Sequence, residues 1–149
     1  MKLYEQLPEL DGATVWLNGR CEKADLVGSR PTLIHFWSIS CHLCKEDMPY
    51  MINLRSRYKG RLNVIAVHMP RTEDDLNLQQ IKKVAAEHNI THPICVDGEL
   101  ILTDAFENRY VPAYYVFDKN GQLRHYQTER SGMSMLKKRV DRLLNEMNR

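Results

Sequence analysis

The chain has 149 residues, 43% hydrophobic and 27% charged, enough for one domain with its own core and no disulfide framework. Its 21 basic and 19 acidic residues leave a net charge of +2, which gives no electrostatic basis for nucleic-acid binding; the Lys137, Lys138, Arg139 cluster reads as a solvated helix face. No apolar run approaches membrane-span length, and Met1 to Leu10 carry charges where a secretory signal would be continuously apolar, so a cytoplasmic protein without a membrane anchor is expected.

Residues 1–12 read as connector, punctuated by Pro8, Asp11 and Gly12. Ala13 to Leu17 is a short strand, and Asn18-Gly19 is a two-residue hairpin signal, which predicts a second strand from about Arg20 that holds Cys21 as a small packing residue. Thr32 to Trp37 is a nearly continuous apolar run, the mark of a central strand, broken by His35. That histidine is either a satisfied core residue or a proton acceptor beneath the cysteines at 41 and 44. A helix then runs from Cys41 to about Tyr58, interrupted by Pro49, and Leu62 to Val67 is the next buried strand. Thr72 and Asp75 have capping-box spacing ahead of an amphipathic helix ending near Asn89. Pro93 to Val96 is a short strand with Cys95 as a buried hydrophobe, and Leu100 to Asn108 a short helix. Ala113 to Phe117 and Gln122 to Thr128 form a hairpin around the turn Asp118 to Gly121. Ser131 can cap a last helix built on Leu136, Val140, Leu143, Leu144 and Met147. The order predicts an α/β fold, a βαβ half followed by a ββα half, with helices on both faces of one mixed sheet and no boundary within residues 1–149.

Chemistry concentrates at Cys41-His42-Leu43-Cys44, placed where the strand ending at Trp37 turns into a helix. A cysteine at a helix start faces unpaired backbone N–H groups and the positive end of the helix dipole, which favour its thiolate. A second cysteine three residues later is within disulfide reach. This is the pattern of a redox pair in which Cys41 attacks a disulfide and Cys44 resolves the mixed disulfide. The competing use is a zinc or copper site or carrier on Cys41 and Cys44 with His42 or His68, but a closed zinc site needs four ligands and no second Cys-x-x-Cys or His-x-x-x-His exists. A peroxiredoxin-type peroxidase would need Pro-x-x-x-Thr/Ser-x-x-Cys; Ser38 fits, but Ile34 stands where the proline belongs.

Across nearly its whole length the chain resembles the thioredoxin-like thiol-disulfide oxidoreductases. The resemblance rests on Phe36-Trp37 ahead of the cysteine pair, Pro49 five residues after Cys44, Val111-Pro112 before an apolar strand, and Asp118-Lys119-Asn120-Gly121 in the closing hairpin. The N-terminal β-hairpin and a helix-strand insertion between about Thr72 and Asp97 look like the TlpA-like subgroup. It implies the thioredoxin fold, Cys41 as nucleophile, Cys44 as resolving thiol, a cis Val111-Pro112 bond that presents backbone to an extended substrate, and no cofactor or metal. Disulfide-containing proteins would be the substrates, with an upstream reductase or thiol donor. Trp37 would wall the site, and His42 would favour the thiolate when protonated. Thioredoxin places an aspartate relay where this chain has His35, and many TlpA-like members carry a carboxylate at the position of Asp47, so His35 and Asp47 are the candidate proton relays. Relatives in this subgroup usually act outside the cytoplasmic membrane, which this sequence does not suggest.

Overall fold

The computed structural model describes residues 1–128 and 132–147; the expected cap Ser131 lies outside them. Among the described residues six strands form one mixed sheet: β1 (Val15–Leu17), β2 (Thr32–Trp37), β3 (Asn63–His68), β4 (Ile94–Val96), β5 (Ala113–Phe117) and β6 (Leu123–Thr128), in the order β1-β4-β3-β2-β5-β6. β2 and β3 pair in parallel, as do β3 and β4, while β1–β4, β2–β5 and β5–β6 are antiparallel. β2 therefore sits inside the sheet, and all six of its residues are buried.

Period-two alternation sorts the core into two layers. Leu33, Trp37, Ala66, Ile94 and Tyr114 point to one face, where α2 (His42–Arg57), α3 (Leu78–Glu87) and α5 (Met133–Met147) bury Met48, Met51, Ile81, Val84, Leu136 and Val140. Ile34, Phe36, Ile65, Val67 and Tyr115 point to the other, against Leu26 of α1 (Lys23–Leu26), Leu102 and Phe106 of α4 (Ile101–Phe106), and Leu7 and Leu10. Helices on both faces of a mixed sheet are thus observed. The N-terminal connector is tied down: Tyr4 N–H donates to the Leu123 carbonyl at 2.7 Å and Leu7 N–H to that of Gly121 at 2.7 Å. The hairpin turn forms as expected, with Asp118 Oδ1 accepting from Asn120 N at 2.9 Å and Gln122 N at 3.0 Å, and Gly121 taking φ +78°.

Two expectations are corrected. There is no N-terminal β-hairpin. Asn18 and Gly19 do turn with positive φ, but the Asn18 amide donates to the carbonyls of Ile90 (2.8 Å) and His92 (3.1 Å), and β1 pairs with β4 through Val15–Val96 and Leu17–Ile94. The turn signal is local; the pairing partner was decided by a strand some eighty residues away, and the chain after Gly19 goes into α1 instead. Cys21 consequently lies in a connecting segment, half-buried, its thiol pushed up to about 11 by burial and by the Asp25 carboxylate. The insertion does supply α3 and β4, but Thr72 does not begin α3. A 3-10 turn at Glu73–Leu76 intervenes, Thr72 makes no side-chain cap, and α3 is capped by Asn77, whose Oδ1 accepts from Gln80 N at 3.2 Å. The carboxylate of Asp75 is turned instead toward Ser40 and the backbone of Arg71.

Candidate active site

The redox pair stands at the carboxyl end of β2, where the neighbouring ends of β3 and β5 bring in two further segments. Cys41 is the N-cap of α2, with extended backbone at φ −92° and ψ 105°, and its Sγ accepts the Cys44 N–H at 3.0 Å. The two cysteines form a disulfide with 5.3 Å between Cα atoms. An N–H group aimed at Sγ at a helix start is the feature that stabilises a thiolate there once the bond is reduced. Both residues are nearly covered, at 3% and 1% exposure. α2 continues through Pro49 as one helix, which lacks a donor at that residue.

The approach to Cys41 is held residue by residue. Ser38 Oγ donates to the Met69 carbonyl, Ile39 N–H donates to His68 Nε2 at 3.1 Å, and Ser40 Oγ donates to Asp75 Oδ2 at 2.8 Å. Asp75 Oδ2 also accepts the Arg71 N–H at 2.9 Å, while the Arg71 guanidinium reaches Ser40 Oγ at 3.1 and 3.2 Å. Each of these partners comes from the end of β3 or the segment that leaves it. Trp37, buried at 1%, packs edge-on to the His68 ring with centroids 5.0 Å apart. From the other side comes the Val111-Pro112 bond, which is cis as the resemblance implies. Because Phe36 pairs with Ala113, the antiparallel register sets Pro112 level with Trp37.

The remaining expected site residues are spread over two places, the exposed start of α2 and the buried layer behind it. His42 is exposed, and its Nε2 lies 2.9 Å from Glu46 Oε1, one turn on. Asp47 is half-buried, and its Oδ2 accepts from Tyr114 Oη at 3.1 Å. Tyr114 stacks on His35 with 6.5 Å between ring centroids. His35 is 1% exposed and its Nε2 meets His92 Nε2 at 2.7 Å, while Arg55 Nη1 donates to His92 Nδ1 at 3.1 Å. Arg55 can only donate, so His92 accepts at Nδ1, carries its proton on Nε2, and gives that bond to His35. Burial first, then the Arg55 charge, holds His35 down to about 3; burial, His35 and Arg55 hold His92 at about 2. Arg55 lies roughly 20 Å beyond Cys41 along the helix, at about 1.5 Å per residue, so this chain of contacts runs from Tyr114 away from the disulfide.

Three contributors went unrecognised in the sequence: Ser40, Arg71 and Asp75. The signal that finds them is the parallel pairing of two central strands, since the register Trp37–His68 sets the residues after each strand side by side. Among the described residues no group of three or more His, Cys, Asp or Glu side chains is arranged to hold a metal ion, and His42 and His68 each hydrogen-bond elsewhere. Among the described residues no helix is long and apolar enough to cross a membrane.

This geometry has counterparts among known proteins. Thiol-disulfide oxidoreductase YkuV of Bacillus subtilis is 63% identical over 98% of this chain and 99% of its own length. A thioredoxin-like protein solved in solution in its oxidised form superposes with a TM-score of 0.91 over 98% of this chain and 99% of that one, at 63% identity. Protein DipZ of Mycobacterium bovis is 34% identical over 93% of this chain, which spans 21% of DipZ. Residues 5–126 match the AhpC/TSA family. The chain belongs to the AhpC/TSA family, and within it to the thioredoxin-like thiol-disulfide oxidoreductases.

Proposed function

We propose that residues 1–149 act as one unit that exchanges dithiol and disulfide with disulfide-bearing proteins in the cytoplasm, Cys41 attacking and Cys44 resolving. The observation that carries this reading is Cys41 at the N-cap of α2 with the Cys44 N–H on its sulfur. In the reduced enzyme the Cys41 thiolate attacks one sulfur of the substrate disulfide; a mixed disulfide forms and one substrate thiolate leaves. The Cys44 thiolate then attacks Cys41 Sγ, which closes the internal disulfide and releases the second substrate thiolate. Two electrons pass to the substrate, whose thiolates take up two protons, and an upstream dithiol donor restores the pair. No cofactor takes part. Trp37 walls the site, the half-buried Val111 offers backbone to an extended chain, and His42, when protonated, adds positive charge at the start of α2. Of the two candidate relays, Asp47 serves Cys44: three residues on, it shares that helix face, whereas the hydrogen bond of His35 goes to His92. Free thiols at Cys21 and Cys95, both raised by burial, suit a reducing compartment.

The test is reduction of insulin disulfides with dithiothreitol as donor. Cys41→Ser falls to the uncatalysed rate, and Cys44→Ser accumulates a mixed disulfide on Cys41 visible by mass spectrometry. Turnover by Cys41→Ser equal to that of the parent would overturn the mechanism. A reductant has a potential near or below about −270 mV.

A further inference from the structure

We infer that His68 is a positioning residue of the redox centre: its Nε2 fixes the backbone of Ile39 and thereby the orientation of Cys41 at the start of α2. The inference rests on Cys41 being the reactive thiol.

His68 is fully buried, and the bond from Ile39 N–H to its Nε2 at 3.1 Å is its one side-chain hydrogen bond among the described residues. An acceptor Nε2 requires the neutral ring to carry its proton on Nδ1, and that atom meets no other residue among those described, only the backbone of His68 itself. A buried imidazole whose second nitrogen reaches no other residue costs stability that an apolar side chain would not, so its packing alone does not explain it. What the ring does provide is a lone pair at the residue between Ser38 and Ser40. Ser38 and Ser40 can be anchored by their own hydroxyls; Ile39 has no polar side chain, and its amide needs an acceptor from outside. Burial, working against the attraction of Asp75 and of the ring's own backbone, holds His68 down to about 4, so the lone pair is present at neutral pH. The next residues complete the geometry: Cys41 N–H donates to the Ser38 carbonyl at 3.1 Å, and Cys44 N–H to Cys41 Sγ. Releasing Ile39 frees the link between those two bonds, and the thiolate loses alignment with the first N–H groups of α2.

The experiment compares His68→Leu with His68→Gln, whose side-chain oxygen reaches the Nε2 position. In a Cys44→Ser background the pH profile of Cys41 alkylation by iodoacetamide is followed by mass spectrometry, and the reduction potential is measured with both cysteines present. His68→Leu is expected to slow alkylation at pH 7 by about tenfold and to move its midpoint to higher pH, while His68→Gln stays within about twofold of the parent. Weaker stabilisation of the thiolate makes the pair more reducing, by about 30 mV for a tenfold change. Equal alkylation profiles for Leu and the parent would overturn the inference, as would equal losses in Leu and Gln that track their urea midpoints. If His68→Leu does not fold, the unmodified protein decides: a scalar coupling between Ile39 N–H and His68 Nε2 is expected by NMR, and its absence counts against the assignment. These readouts follow Cys41 itself, so they stand apart from failure of the insulin assay, which would strike the proposed function instead.

Discussion

Two buried histidines on the same face of the sheet behave differently. His35 in β2 and His68 at the end of β3 are both under 2% exposed, and burial holds both far below the ordinary imidazole range. Both are neutral, so charge does not separate them; partners do. His35 lies mid-strand and bonds to His92, which Arg55 orients from the distal part of α2. His68 is at a strand terminus and bonds to the amide two residues ahead of Cys41. Burial sets the protonation state, and position along the strand sets whether the ring serves the core or the site. A histidine in mid-strand finds side chains; one at the strand end finds loop backbone.

The largest effect expected from this pair concerns acid. Below about pH 6.5 the unfolded chain binds protons on His35, His68 and His92, which the folded chain, with values near 3, 4 and 2, does not. The unfolded state therefore holds more protons, and stability is full above pH 6.5 and is lost as pH falls through 6 and 5. At about 1.4 kcal/mol per pH unit for each ring, the slope approaches roughly 4 kcal/mol per unit. Urea midpoints at pH 7.5, 6 and 5 should drop steeply, and a flat profile would mean that the rings take protons without unfolding. A smaller effect separates the two histidines. His92→Leu leaves His35 Nε2 unpaired and should cost about 1–3 kcal/mol in urea unfolding, with the reduction potential of the cysteine pair unmoved. A changed potential would place the His35 cluster within the redox site after all. The smallest effect sets an exposed histidine against both. Glu46→Gln removes the partner of His42, a solvent-facing pair worth a few tenths of a kcal/mol at most, and the change should vanish in high salt.

Much of this arrangement was legible from residue order. The continuous apolar run Thr32–Trp37 followed by Cys41 placed the redox pair at the end of an interior strand, because a strand buried on both faces must be apolar throughout. The cis Val111-Pro112 bond came from the family resemblance and not from chemistry, since nothing in one sequence distinguishes the two isomers. The failures share one cause. Asn18-Gly19 gave a correct turn and a wrong partner, and Thr72 with Asp75 gave a plausible cap where Asp75 instead binds Ser40 and Arg71. In both, short-range spacing stood for one local contact while the side chain bonds a segment distant in sequence, Ile90 and His92 for Asn18 and Ser40 for Asp75, whose second partner, the Arg71 N–H, is local. Asp75 is a carboxylate at 2% exposure, and such a group goes where buried donors are, which spacing does not reveal.

Trp37 gives the molecule an optical consequence. The chain has two tryptophans. Trp37 shares a packed layer with both cysteines, whereas Trp16, on edge strand β1, packs against the opposite layer. A disulfide quenches a nearby excited indole more strongly than two thiols do. Emission from Trp37 should therefore brighten on reduction while that of Trp16 stays level. With Trp16 replaced by Phe, the remaining fluorescence becomes a direct, label-free record of how the redox pair is divided between its two states during turnover.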